Sequence, residues 1–201
     1  MRRSLDRKKS FFGNVFRNKR GSLFKVWKRG GYNSMIQVYT GNGKGKTSAA
    51  IGQAVRAKGQ GFKVGVFQFL KAGRQTGEIQ VLEEMGILFR QYGSGRWFNN
   101  RLPEQEEIDL AHLGLTEVVK AISDGYQLIV LDEISHAINF GLIPIDKVIS
   151  LITDLPKNTE LILTGRGMPE QLVLKADLVT EMKEVKHPYK KGIGPRRGIE
   201  Y

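Results

Sequence analysis

Cysteine is absent from the 201 residues, which removes disulfides, thiolate nucleophiles and cysteine-held clusters from the chemistry open to this chain, and fits a cytoplasmic protein. Histidine is scarce, and His112, His136 and His187 show no zinc-ligand spacing. No apolar run approaches the roughly 20 residues of a membrane-spanning helix. Nor is there a charged-then-apolar leader with a cleavage site. Acid is missing from one region in particular. Residues 1–34 hold eleven of the 32 lysines and arginines but only one of the 20 acids, Asp6, leaving 21 bases against 19 acids in residues 35–201. The formal charge of +12 therefore belongs to the first 34 positions, and the remaining body is nearly neutral. A near-neutral body argues against nucleic acid as its partner, because that affinity rests on neutralising phosphates.

The basic stretch also carries Phe11, Phe12, Phe16, Phe24 and Trp27. Residues 1–34 are read as a basic-aromatic N-terminal extension, mobile as undocked termini usually are. Two alternatives stay open: a surface for a membrane, nucleic acid or partner subunit, and an extension upstream of a natural start at Met35. Residues 35–201 have the length and apolar content of one domain.

What the chain does have is glycine in one telling place. Thr40-Gly41-Asn42-Gly43-Lys44-Gly45-Lys46-Thr47 follows an apolar strand pattern, Met35–Tyr39, and opens a helical one from Lys46 to about Ala57, which Gly59 ends. Such a loop turns successive backbone N–H groups toward one concavity, and the helix adds its positive dipole end there. Lys46 supplies the point charge for a polyphosphate, Thr47 a hydroxyl for Mg²⁺, and Ser48 can assist. Thr40 stands where the general phosphate-loop pattern has glycine.

Further along, apolar runs at 63–70, 87–92, 126–131, 160–163 and 178–182 read as strands. They alternate with helical patterns at 78–85, 104–123, 145–152 and 169–176. This alternation predicts an α/β fold: a single-domain, P-loop NTPase-like, mostly parallel sheet with helices on both faces. Ligands on such sheets sit beyond the carboxyl ends of the strands, where both the glycine loop and Asp132-Glu133 emerge. One of those acids is expected to help hold Mg²⁺ and the other to orient a reacting group or ribose. Arg166, between Gly165 and Gly167, is a further phosphate candidate. Trp97 and Phe98 lie in a long polar loop, where they could lid a flat ligand or cap the domain's own core. Glu104, Glu106 and Glu107 are expected to open the next helix and complement its dipole.

Val38-Tyr39-Thr40-Gly41-Asn42-Gly43-Lys44-Gly45-Lys46-Thr47 closely resembles the phosphate loop of the ATP:corrinoid adenosyltransferases of the cobalamin pathway, the cob(I)yrinic acid a,c-diamide adenosyltransferase type, in which Thr is usual at the position of Thr40. The resemblance continues in colinear order through Val64–Lys71, Val130–Ile134, Leu163–Gly167, Ala176–Met182, Val185–Tyr189 and Gly198–Tyr201. Residues 1–34 lie outside it and do not clearly match the polar helical arm that members often carry there.

The resemblance implies transfer of the 5′-deoxyadenosyl group of ATP to the reduced cobalt of cob(I)alamin or a corrinoid precursor, with triphosphate leaving, in adenosylcobalamin synthesis or salvage. It further implies Mg²⁺ or Mn²⁺, a flavin-type reductant and a homodimer. Lys46, Thr47, Asp132 and Glu133 would be the catalytic set, with Thr47, Asp132 and Glu133 toward the metal. Gly41, Asn42, Gly43, Lys44, Gly45, Lys46, Thr47, Ser48 and Arg166 would hold the triphosphate. Trp97 or Phe98 would displace the lower axial ligand of cobalt. Two rivals remain: a phosphate-loop kinase or ATPase that cleaves the terminal phosphate, and a module in which nucleotide controls nucleic-acid or membrane attachment through the basic tail.

Overall fold

The computed structural model describes residues 15–17, 23–25, 34–73, 77–96 and 101–199. Contacts divide the chain into two units, Met1–Asn33 and Ser34–Tyr201. In the first, β1 (Val15–Arg17) and β2 (Leu23–Lys25) pair antiparallel with Phe16 in register with Phe24. The other positions of the basic extension, and with them its expected mobility, lie outside the described residues.

The second unit runs β3 (Ile36–Thr40), α1 (Lys46–Gly59), β4 (Val64–Phe69), α2 (Gly77–Glu84), β5 (Leu88–Tyr92) and α3 (Gln105–Ser123). It continues with β6 (Leu128–Asp132), α4 (Ile134–Asn139), α5 (Ile145–Thr153), β7 (Glu160–Thr164), α6 (Glu170–Val173), β8 (Leu178–Glu181) and a 3₁₀ turn at Pro188–Lys191. Six strands form one sheet in the order β5-β4-β6-β7-β3-β8, and every pairing is parallel.

Strand periodicity assigns the two faces. Phe67, Phe69, Ile129, Leu131, Leu161 and Leu163 point to one side, where Ala111, Val118 and Ala121 of α3 and Val148, Leu151 and Ile152 of α5 cover them. The alternate residues Val64, Val66, Leu128, Val130 and Ile162 point to the other side, against Ala50, Ala54 and Ala57 of α1 and Ile79 and Leu82 of α2. Helices on both faces leave β4 and β6 buried along their whole length and mostly apolar. The α1 stripe is built of alanines, so that helix lies close on the sheet, and its first turn meets the carboxyl ends of the strands.

Some boundaries differ from the sequence reading. Gly59 is the last residue of α1 instead of lying beyond it, and Gln60 caps the helix. The six-residue α4 has no counterpart in that reading: it starts at once after Glu133, which turns the chain with φ 60°. Among the described residues, no helix is long and apolar enough to cross a membrane.

Candidate active site

Register explains how the site is assembled. Gln91, Gln68 and Asp132 are direct partners across β5, β4 and β6. By parity they share the α1 face with Val66 and Val130, so a polar row crosses the carboxyl edge of the sheet beneath the start of α1. Gln91 Nε2 donates to Gln68 Oε1 (2.8 Å), and Gln68 Nε2 donates to Asp132 Oδ2 (2.7 Å). Thr47 Oγ1 from α1 and Thr164 Oγ1 from the end of β7 both donate to Asp132 Oδ1, at 2.8 and 2.6 Å. Lys71 Nζ stands 3.5 Å from Asp132 Oδ2. Asp132 is fully buried, and these donors offset the cost of burying its carboxylate.

The adjoining Glu133 is fixed differently. Its backbone N–H donates to Thr164 Oγ1 (3.0 Å), and its left-handed conformation turns the chain into α4. Glu133 Oε2 lies 2.6 Å from His136 Nδ1, and the His136 ring stacks on Phe140 at 5.8 Å. Burial pushes the Glu133 carboxyl up. The His136 hydrogen bond and charge, with Lys71 and Lys46, outweigh that effect and hold it below the usual carboxylate range.

The glycine loop is shaped by its neighbours. A Cβ on Gly41 or Gly43 would come within 2.5 or 2.7 Å of the Met182 carbonyl, so only glycine lets the loop lie against the segment after β8. Met182 N–H donates to the Thr40 carbonyl (2.8 Å), and Gly43 N–H to the Met182 carbonyl (2.6 Å). Thr40 Oγ1 accepts from Met168 N–H (3.4 Å), a contact glycine could not make. Lys46 is buried inside the loop and donates to the carbonyls of Gly41 (2.8 Å) and Gly43 (2.9 Å). Burial lowers its pKa and Arg166 adds to that, against the opposing pull of Glu133 and Asp132. No acid occupies the first turn of α1, so its positive end faces the loop uncompensated.

The sequence-derived candidates thus fall into four groups. Lys46, Thr47, Asp132 and Glu133 meet at one place, with Gly41, Gly43 and Gly45 around them. Asn42, Lys44 and Ser48 are exposed, and Lys44 Nζ donates to the Ile199 carbonyl (3.0 Å). Arg166 is exposed beside the site, its backbone pinned by Ser135 Oγ donating to its carbonyl (2.8 Å). Next to it, Gly165 has φ 139°, and a Cβ there would overlap the Ser135 hydroxyl. Trp97 and Phe98 lie outside the described residues.

Their loop is nevertheless anchored at both described ends. Glu107 accepts from Arg101 Nη1 (2.8 Å) and Nη2 (2.5 Å), from Ser94 Oγ (2.6 Å) and from the Glu104 N–H (2.9 Å). The Arg101 hydrogen bonds hold the Glu107 carboxyl down at about 2. Glu107 therefore does more than open its helix: it closes the loop from 94 to 101.

Sequence reasoning passed over Gln68, Lys71, Thr164 and His136. Gln68 and Thr164 had a readable signal, since each is a polar residue interrupting or ending an otherwise apolar strand, and Lys71 is the first charge beyond one. His136 could be found only by knowing that a helix starts at 134, which places it one turn from Glu133.

The arrangement suits a polyanion carrying a cation. Lys46, Lys71 and Arg166 face it from different elements, and α1 points its N-terminus at it. The oxygen donors Thr47, Asp132 and Glu133 match the preference of Mg²⁺, which keeps waters and substrate phosphates in its shell. Among the described residues, no group of three His, Cys, Asp or Glu is gathered as a protein-only metal site.

Comparison with known proteins bears on the same residues. Residues 32–201 match the ATP:corrinoid adenosyltransferase family BtuR/CobO/CobP. The corrinoid adenosyltransferase of Escherichia coli (strain K12) is 33% identical over 167 residues, 83% of this chain and 85% of that one. The corrinoid adenosyltransferase CobA of Salmonella typhimurium is 36% identical over 169 residues, again 83% and 85%. The Pseudomonas aeruginosa corrinoid adenosyltransferase is 35% identical over 170 residues, 83% of each chain. With more than four-fifths of its length matched, and the glycine loop and Asp132-Glu133 within the match, this chain belongs to the ATP:corrinoid adenosyltransferase family.

Proposed function

We propose that this protein transfers the 5′-deoxyadenosyl group of ATP to the cobalt of a reduced corrinoid, cob(I)alamin or cob(I)yrinic acid a,c-diamide, releasing triphosphate. The observation that carries the reading is the convergence of the glycine loop, Lys46 and the Thr47–Asp132 pair at one sheet edge in a chain of this family. In the transfer, Co(I) donates the electron pair of the new Co–C bond. The C5′–O bond breaks, its pair leaves on triphosphate, and cobalt becomes formally Co(III). The substrate is its own nucleophile, so the protein's task is alignment and charge stabilisation.

Gly41 through Thr47, with Ser48, cradle the triphosphate, and Lys46 and Arg166 neutralise it. Thr47 and Asp132, with Glu133 beside them, hold Mg²⁺ or Mn²⁺, which supplies charge neutralisation to the phosphates. Trp97 or Phe98, on the loop closed by Glu107, faces the corrinoid. The setting is the cytoplasm, in synthesis or salvage of adenosylcobalamin, with a flavin-type reductant and a homodimeric enzyme as the family implies.

The test is anaerobic incubation with Mg²⁺-ATP and chemically reduced cobalamin, following the visible spectrum and separating the phosphate products. A light-sensitive cobalt–carbon product with stoichiometric triphosphate is expected. ADP without an alkylated corrinoid would instead place the chain's chemistry at the terminal phosphate.

A further inference from the structure

We propose that Lys71 is a second lysine for the triphosphate, delivered to the site by a strained turn at the end of β4. The proposal deepens the adenosyl-transfer reading and rests on it for the identity of the leaving group.

The chain does not leave β4 by a relaxed path. Leu70 has φ 68°, one of two non-glycine residues with positive φ among the described positions, and the other is Glu133 of the same site. Such conformations persist where the surroundings over-determine them. Here Leu70 N–H donates to the Tyr92 carbonyl (3.0 Å) at the end of β5, and the turn rests directly on Gly93. A Cβ on Gly93 would overlap the Leu70 carbonyl carbon and come within 2.6 Å of the Lys71 nitrogen. A left-handed residue and a residue with no side chain together bring Lys71 over the carboxyl edge of the sheet.

What Lys71 meets there is already satisfied. Thr47, Thr164 and Gln68 supply Asp132 with three hydrogen bonds of 2.6–2.8 Å, whereas Lys71 stands off at 3.5 Å with its side chain 39% exposed. The three neutral donors fix the carboxylate, and the ammonium is the loosest and most movable of its contacts. Lys46, by contrast, is buried and bonded to its own loop carbonyls. Both lysines bear on Glu133, and Lys71 does so from beside Asp132, so the two charges act on one space. A polyanion seated on the glycine loop brings its oxygens within the reach of the Lys71 stem. The attraction grows as negative charge gathers on the departing oxygen.

The test compares wild type, Lys71→Met and Lys71→Arg by calorimetric titration with inorganic triphosphate in EDTA, and with adenosine as the uncharged control. Losing one charge-assisted contact should weaken triphosphate binding by Lys71→Met roughly tenfold to a hundredfold. Adenosine binding should stay unchanged, and Lys71→Arg should remain within about threefold of wild type. Triphosphate bound by Lys71→Met as tightly as by wild type overturns the proposal. An equal loss for adenosine and triphosphate overturns it too, since that marks a general structural defect. Analysis of the wild-type products keeps the two readings apart. ADP in place of triphosphate refutes adenosyl transfer while leaving the Lys71 binding result intact.

Discussion

Replacing Glu107 by glutamine should cost the protein a defined part of its stability, with a defined pH dependence. Glu107 is 3% exposed, and its carboxylate takes both guanidinium nitrogens of Arg101, the Ser94 hydroxyl and the Glu104 N–H. An amide of the same shape keeps one acceptor oxygen and turns an NH₂ toward donors. The carboxyl lies at about 2 in the folded protein against an ordinary 4.5. Each factor of ten in proton affinity is worth about 1.4 kcal/mol, so the charged contacts amount to about 3 kcal/mol. Arg101 is 29% exposed, and solvent screening brings the figure to about 2 kcal/mol. At roughly 2–4 °C per kcal/mol for a domain of this size, Glu107→Gln should lower Tm by about 4–8 °C at pH 7.

Because folding depresses this pKa, the stabilisation is complete above 4.5 and is lost as pH falls from 4.5 toward about 2. Thermal melts followed by circular dichroism at pH 7, 6 and 5 should show a constant gap between the two proteins. Urea titrations at pH 4 and 3.5 should show it closing. A Tm within about 1 °C of wild type at pH 7, or a gap that widens on acidification, would refute the reasoning.

Two glycine substitutions should move stability in opposite directions. Gly165→Ala forces a Cβ into the Ser135 hydroxyl at φ 139°, and should cost about 3 kcal/mol or more, read as a Tm drop on the order of 10 °C. Gly52→Ala places its methyl in open space on the exposed face of α1, and should stabilise by about 0.5–1 kcal/mol. A chemical denaturation series would show a lower midpoint for the first and a higher one for the second; a higher midpoint for Gly165→Ala would refute the packing argument.

The order of strands and helices was legible because the apolar runs are long and bounded by glycine or charge. The loop from Thr40 to Thr47 was legible because its composition has few other uses. Asp132-Glu133 followed from the same pattern, an apolar strand stopping abruptly in two acids. Sequence spacing did not show which residues stand beside Asp132, because Gln68 and Thr164 reach it through strand register across 64 and 32 positions, and Lys71 through the turn after β4 across 61. Nor did it show the short α4, since six residues are too few for helical periodicity and the turn at Glu133 depends on its contact with Thr164. Glu107 shows the same limit. Its place in the first turn was readable, but its closure of the loop from Ser94 to Arg101 depends on where that loop returns.

The bonds between the glycine loop and Met182 bear on how this protein comes into being. The loop is synthesised long before the segment that backs it. Until the segment after β8 emerges, Gly41 and Gly43 have nothing to rest on, and the N–H of Gly43 lacks its acceptor. A nascent chain can collapse its apolar strands as they appear, but its phosphate cradle takes shape only once Met182 has been added. Translation that stalls before residue 182 thus yields a chain that can begin to fold without acquiring a nucleotide site, so competence to bind ATP reports that the body has been made through to that segment.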